Sequence, residues 1–416
     1  RWDAALAALY GGSEEVLARQ RSRYGAALEQ FELYYGPERQ VQVYSAPGRT
    51  ELGGNHTDHQ HGYGLAGAVT LDLVAVASRN EDGFIRVKSR GFNKLDVIDL
   101  TEAEPQQGES THSASLIRGI AEGFRAKGCD VGGFDAYTAS DVLRGSGLSS
   151  SAAFEMGVAI ILNTEYGCGM DAPALARICQ FAENTYFGKP SGLLDQLTSA
   201  VGGVLFADFA DPTAPKIEKI HADGVLPEGM TLCVTDTRAS HSELTGEFAA
   251  IRNEMEAVAA CLDGRVLGEV EEKRFWQELP RLREQCGDRA VLRAIHYFEE
   301  NARTLAQRDA LVAGDFAAFA RLVEKSGHSS FECCQNVYCA SSPKHQGLSA
   351  ALAISQSILA GTGGVWRMQG GGFAGTIQAF VPDALVKRYC AAMEALFGPG
   401  CCYLLSLREQ GAVRVM

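Results

Sequence analysis

Gly145-Ser146-Gly147-Leu148-Ser149-Ser150-Ser151-Ala152-Ala153-Phe154-Glu155 is the stretch from which the fold is read. Gly145 and Gly147 admit a backbone path that a Cβ would resist. The three serines stand where a helix should begin, and the apolar spacing of Phe154, Met156, Val158, Ile161 and Leu162 predicts that helix. A glycine-rich turn feeding a helix N-terminus presents free N–H groups and the positive end of a dipole. Such a turn suits an anion, most commonly a nucleotide phosphate. No Gly-Lys-Ser/Thr follows, so this is not the Walker sequence. An ordinary capped helix after a flexible turn is the plainer reading of the stretch alone.

Around this turn, strands and helices mix without a strict βαβ alternation. Helical spacing runs through residues 1–36 (Leu6, Leu9, Tyr10, Val16, Leu17), and Val41, Val43 and Tyr44 form a short strand leading into Ala46-Pro47-Gly48-Arg49. Further strands are expected at 69–78, 84–87, 95–100, 134–140 and 204–209, with helices at 113–127 and 173–187. The texture changes near residue 210. A strand at 230–236 precedes long charged helical stretches over 243–326; a helix at 347–360, a strand at 376–381, a helix at 383–396 and a strand at 402–406 follow. This pattern predicts an α+β protein of two lobes, 1–210 and 211–416, rather than a Rossmann fold.

The chain of 416 residues is 46% hydrophobic and 21% charged, enough apolar material for a sizeable core. A formal net charge of -13 argues against nucleic acid or an anionic membrane as the main partner. Any phosphate site must therefore be local. No apolar run reaches the length of a membrane span. The start, Arg1-Trp2-Asp3-Ala4-Ala5-Leu6, reads as an amphipathic helix rather than a secretion signal. Twelve scattered cysteines, with no Cys-x-x-Cys, are expected to be reduced and mostly buried in a cytoplasmic protein. A zinc site on Cys333, Cys334, Cys339 and His328 would fit no standard spacing.

Two more segments carry chemistry. One is Pro47-Gly48-Arg49-Thr50-Glu51-Leu52-Gly53-Gly54-Asn55-His56-Thr57-Asp58-His59-Gln60-His61-Gly62, and the other is Gln369-Gly370-Gly371-Gly372-Phe373-Ala374-Gly375-Thr376-Ile377. Gly188-Lys189-Pro190-Ser191-Gly192-Leu193-Leu194-Asp195-Gln196 lies between the serine run and the last of these. In this order the segments resemble the GHMP small-molecule kinases, and among them the galactokinases, over nearly the full chain. The galactokinase signature is Gly-Arg-x-Asn-Leu-x-Gly-Glu-His-x-Asp-Tyr, and this chain matches its Arg, His and Asp as Arg49, His56 and Asp58.

The resemblance implies a two-lobed GHMP kinase fold with the active site in the cleft between lobes. It implies transfer of the ATP γ-phosphoryl group to a monosaccharide hydroxyl, most simply α-D-galactose giving galactose 1-phosphate. Asp195 matches the catalytic aspartate and Arg49 the catalytic arginine. Gly145, Ser146, Gly147, Leu148, Ser149, Ser150 and Ser151 would cradle the ATP phosphates, joined by Gly371 and Gly372. Ser150 and Glu183 match the positions that supply ligands to Mg2+, with Ser149 and Ser151 as near alternatives. Asn55, His56, Asp58, Gly192 and Phe248 match sugar-contacting positions. His56, His59 and His61 could also hold a metal or form a plain histidine-bearing loop. The expected partners are sugar and ATP, with no nucleic acid and no membrane, acting on a monomer.

The chain departs from galactokinases where sugar identity is read. Asn55 replaces the usual Glu, which accepts a hydrogen bond from the sugar 6-hydroxyl, and Phe248 replaces a Tyr, deleting a hydroxyl. Galactose with altered affinity is one outcome. A C6-modified sugar such as galacturonate is the other, since galacturonate kinases also lack that Glu and carry a run similar to Asp58-His59-Gln60. A non-catalytic sugar and ATP sensor is the rival of a different class. The uninterrupted serine run, Asp195 and Arg49 argue against it, and the His56-x-Asp58 segment argues against another GHMP kinase such as mevalonate kinase.

Overall fold

The computed structural model describes residues 2–142, 147–189, 191–239 and 244–416. Gly145, Ser146 and Pro190 lie outside the described residues. The strands are β1 (Gln42–Gly53), β2 (Tyr63–Arg79), β3 (Phe84–Ser89), β4 (Leu95–Asp99), β5 (Phe134–Ser140), β6 (Val204–Asp208), β7 (Lys216–Ile220), β8 (Met230–Asp236), β9 (Val365–Met368), β10 (Thr376–Pro382), β11 (Cys402–Leu405) and β12 (Val413–Arg414). They form two sheets. The larger runs β12-β1-β2-β5-β3-β4, with β6 on β2 and β7 on β6; the smaller runs β11-β8-β10-β9. Only the β3–β5 pair is parallel among these ladders.

The 17-residue β2 organises the first sheet. Its later half pairs with β5, from Leu73↔Ser140 to Arg79↔Phe134, and its first residues pair with β6. Alternate side chains on a strand face opposite ways. Val74 and Val76 accordingly pack with Leu6, Tyr24 and Phe31 of the helices Trp2–Tyr10 and Glu14–Tyr35. Leu73, Ala75 and Ala77 face the other way, toward Ile117, Phe124, Met156, Leu162 and Leu197. Those residues belong to the helices Ser113–Ala126, Ser150–Glu165 and Leu194–Val201. With helices on both faces, the strand is apolar along nearly its whole length.

The elements differ from expectation in instructive places. The N-terminal helix is broken at Gly11 and Gly12, and Ser13 caps the second helix through a bond from the Val16 amide. The short strand at 41–44 instead continues to Gly53, so the Pro47–Leu52 segment is strand rather than loop. The helix expected at 173–187 ends at Ala182, and Glu183–Phe187 forms a π-helical turn. The last strand, β12, returns to β1, and β7 lies past residue 210 in the same sheet. The cysteine expectation is corrected at one pair: Cys129 and Cys168 form a disulfide, with Cα atoms 5.7 Å apart. Each follows the C-terminus of a helix, Ser113–Ala126 and Ser150–Glu165, and tertiary packing brings these ends within bonding range.

A buried polar seam joins the first sheet to the C-terminal half. Arg367 of β9 reaches Glu51 of β1 at 3.0 Å, and the Ser326 hydroxyl, 2.6 Å from Glu300, lies 2.9 Å from Arg367. The backbone amides of Gly54 and Asn55 donate to Glu300. His296, one turn earlier on the helix Asp288–Val312, contacts the Asn55 carbonyl at 2.8 Å through Nε2 and the Ser329 hydroxyl at 2.8 Å through Nδ1. A carbonyl only accepts, so Nε2 carries the proton and Nδ1 accepts from Ser329. Burial drives the His296 pKa down to about 4, outweighing the pull of Glu300.

In the unfolded chain this histidine titrates near its ordinary value of about 6.5. The unfolded state therefore binds the extra proton between about pH 6.5 and pH 4. Stability from this group is full above that window and falls as pH drops through it, by about 1.4 kcal/mol per unit. Denaturant melts across that range should show the loss, and His296→Gln, which keeps an amide donor, should flatten it. An unchanged slope in the variant would assign the acid sensitivity elsewhere.

Candidate active site

The site is built around Arg49. β1 is irregular on both sides of it, with register shifts between Pro47 and Arg49 and between Glu51 and Gly53. The Arg49 amide donates to the Leu148 carbonyl at 3.0 Å and its guanidinium to the Gly147 carbonyl at 2.7 Å. Gly48 permits this approach, because a Cβ there would stand 2.8 Å from the Leu148 oxygen. The rest of the guanidinium grips Asp195 with two parallel bonds, Nε to Oδ1 at 2.7 Å and Nη2 to Oδ2 at 3.0 Å.

Asp195 sits in the first turn of the helix Leu194–Val201, where a carboxylate complements the helix dipole. Ser149, left-handed at φ 60°, is the residue before the helix Ser150–Glu165, and its hydroxyl donates to Asp195 Oδ2 at 2.7 Å. Burial opposes the charge of Asp195, but the Arg49 guanidinium and the Ser149 hydroxyl outweigh it and hold the carboxyl below its ordinary range. The Asp195 side chain remains 36% exposed against 11% for Arg49. A charged oxygen is thus held rigidly yet open on one side.

Gly147 has φ 68°, and a Cβ on it would collide with the Thr376 hydroxyl at the start of β10. Leu148 is buried, while Ser150 and Ser151 are half-buried at the beginning of their helix. Gly145 and Ser146 are outside the described residues. Glu183 is 2% exposed in its π-helical turn; Lys189 lies 3.3 Å from one of its oxygens and Gln196 Nε2 donates to the other at 2.8 Å. The same Gln196 nitrogen donates to the buried Glu155 at 3.2 Å. Among the described residues, Glu155 Oε1 and Gln196 Oε1 have no protein partner. Hydroxyl and carboxylate oxygens of this kind suit a hard cation such as Mg2+.

The histidines of the first motif form an ordered chain. His56 Nε2 lies 2.9 Å from the Gly371 carbonyl, its Nδ1 lies 3.3 Å from His59 Nε2, and His59 Nδ1 lies 3.1 Å from Gln60 Nε2. The carbonyl and the amide at the two ends fix every proton: Gln60 donates to His59, His59 to His56, and His56 to Gly371. Burial lowers the pKa of both rings. Among the described residues, the histidines are not gathered as metal ligands; the only such group is of cysteines. Asp58, pushed up by burial, packs on Gly192, where a Cβ would stand 2.5 Å from its Oδ2. Phe248 lies on Gly371, whose Cβ would fall 2.5 Å from the ring, and meets Phe373 edge-on at 5.4 Å. Gly372 has φ 89° and no room for a Cβ beside the Asn336 carbonyl.

Asn55 is engaged on every side by protein. Its Nδ2 donates to Glu51 at 2.9 Å and to the Gly370 carbonyl at 2.7 Å, and its Oδ1 accepts from Asn336 at 2.9 Å and Ser330 at 3.3 Å. Glu51 was not picked out from the sequence. Burial raises its pKa against the opposing pull of Arg367 and Arg49. The signal was present: Glu51 stands where the galactokinase signature has Asn, and Asn55 where it has Glu, so the two residue types are exchanged and bonded to each other.

Known proteins resemble this chain in sequence and in fold. Residues 115–203 match the model of the GHMP kinases N terminal domain, and residues 29–79 match the galactokinase galactose-binding signature. A galactokinase of Streptomyces coelicolor is 34% identical over 379 residues, covering 90% of this chain and 92% of that protein. The crystal structure of Lactococcus lactis galactokinase complexed with galactose superposes with a TM-score of 0.80 at 24% identity, over 94% of this chain and all of that one. Methanococcus jannaschii mevalonate kinase shares the fold more distantly, with a TM-score of 0.62 at 15% identity over 89% of this chain and 99% of its own. The chain is a sugar kinase and belongs to the galactokinase family of the GHMP kinases.

Proposed function

We propose that the chain phosphorylates the anomeric hydroxyl of galactose, using ATP and giving galactose 1-phosphate. The observation that carries this reading is the bidentate Arg49–Asp195 pair, tied by Ser149 to the start of the helix Ser150–Glu165. In phosphoryl transfer the protein contributes mainly positioning and charge stabilisation. Asp195 would accept the hydrogen bond of the attacking hydroxyl through its exposed side. Held below its ordinary range it is a weak base, so it orients the oxygen and takes the proton late in the transfer. Arg49 keeps it ionised and offers permanent positive charge to the transferring group.

Gly147 to Ser151, preceded in sequence by Gly145 and Ser146 and joined by Gly371 and Gly372, would approach the ATP phosphates. Ser150 and Glu183 would hold Mg2+, which when bound neutralises phosphate charge. Asp58, His56, Gly192 and Phe248 would line the sugar end. The compartment we infer is the cytoplasm and the working state a monomer.

The Glu51–Asn55 pair favours galactose over an anionic sugar. The carboxylate missing at position 55 has moved only as far as Glu51, hydrogen-bonded to Asn55 and paired with Arg367. A uronate would gain no repulsion-free wall from such an exchange.

Purified protein with ATP should form sugar 1-phosphate from galactose faster than from galacturonate, N-acetylgalactosamine or arabinose. Preference for galacturonate would reverse the substrate assignment. Turnover of none of the four with sugar still bound would support a sensor. Asp195→Asn should lower kcat by about 10²–10⁴-fold while ATP binding persists. Arg49→Gln leaves Asp195 without its cation, so the acid limb of the kcat–pH profile should move to higher pH as kcat falls. An unmoved limb would show that Arg49 does not set the ionisation of Asp195.

A further inference from the structure

We propose that Cys233, Cys390 and Cys402 bind one thiophilic d10 metal ion, of the zinc or copper(I) class, at a site separate from phosphoryl transfer. Their sulfurs all lie within 4.8 Å of one another, the only such group of possible ligands among the described residues. The register explains how they meet. Cys402 of β11 pairs with Thr235 of β8, and Leu404 pairs with Cys233. Residues two apart on a strand share a face, so Cys402, Thr235 and Cys233 project from one side of the sheet. Cys390 comes from the helix Val386–Phe397, which packs in the same apolar cluster with Tyr389 and Met393.

Magnitudes favour an ion over a disulfide. A zinc–sulfur bond of about 2.3 Å places ligating sulfurs about 3.8–4.0 Å apart, so sulfurs at most 4.8 Å apart need to move by no more than about 1 Å. A disulfide requires about 2.05 Å and would leave the third sulfur without a partner. The chain forms a disulfide elsewhere, at Cys129–Cys168, yet keeps these three sulfurs free. Access is also right: Cys233 is 1% exposed and anchors the site, while Cys390 and Cys402 are half-buried and open it to solvent. The Thr235 hydroxyl, 3.6 Å from Cys402 Sγ, can donate to a bound thiolate.

Binding would convert three thiols to thiolates and release their protons to solvent. No electron moves. Trigonal coordination by three sulfurs suits copper(I), and zinc would complete a tetrahedron with a water. The ion would pin a four-residue edge strand, β11, and the helix over it to the central strand β8.

The test uses the full, tag-free chain, reduced, stripped with chelator and kept anaerobic. It is titrated with Cd2+ as an optical probe, then with Zn2+ and Cu+. One ion per chain, a thiolate-to-cadmium charge-transfer band and a rise of several degrees in Tm with ion present are expected. Cys390→Ser and Cys402→Ser should each lose the band, whereas Cys286→Ser, in the separate Cys261–Cys286 pair, should keep it. Kinase turnover in Cys390→Ser should stay unchanged, which also reports that the variant is folded. No uptake, equal uptake by Cys390→Ser, or a disulfide among the three in freshly purified protein would overturn the proposal. None of these binding readouts depends on which sugar is phosphorylated.

Discussion

The Arg49–Asp195 ion pair is the interaction on which the site depends. It joins a strand of the first sheet to the first turn of the helix Leu194–Val201, and through Ser149 to the helix Ser150–Glu165. Arg49 is fixed in turn by the Gly147 and Leu148 carbonyls. Each guanidinium nitrogen makes one bond, two to Asp195 and one to the Gly147 carbonyl, a planar arrangement that a lysine could not reproduce. The pair is partly open to solvent on the aspartate side only. The carboxylate is thus the more accessible member of the pair, which sets it apart from a simple surface ion pair.

A second constraint is the seam between the first sheet and the C-terminal half. Buried charges are tolerated there because each is paired: Glu51 and Glu300 with Arg367 and Arg303, and Asn55 with four protein partners. Breaking one member would leave an uncompensated charge, which costs more than the pair contributes. The seam therefore specifies the placement of the 47–62 motif relative to the 369–377 glycine run more than it adds stability. His56 continues it by donating to Gly371, so the sugar motif and the last glycine run are held by the same network.

Local backbone is unusual at the same places. His56, Ser149 and Phe373 have positive φ without being glycine. Such conformations cost of order 1–3 kcal/mol each and persist where surrounding structure enforces them. Glycine does the complementary work at Gly48, Gly192 and Gly371, where a Cβ would enter the space of Leu148, Asp58 and Phe248. The motif glycines are there for close approach as much as for flexibility.

Much was legible in the sequence. Strands 134–140 and 230–236 were readable from local apolar pattern, as was the helix after the serines, because their burial follows a short period. The three motifs and the 188–196 segment, with Arg49 and Asp195 among them, named the kinase family from residue types and order alone. Other features depended on partners distant in the chain. β7, β9 and β12 are short and take their identity from the ladder they join. The extension of β1 through Pro47 and Gly48 required β2 and two irregularities beside it. The disulfide and the three-sulfur cluster join cysteines with no telling spacing. The hydrogen bond between Asn55 and Glu51, four residues before it, likewise appears only in the folded chain. The sequence by itself determined the family, the motifs and the apolar skeleton, because these follow from local chemistry and periodicity. Only the tertiary structure decided which charge faces which, because an ion pair is defined by residues as far apart as Arg49 and Asp195, or Glu51 and Arg367.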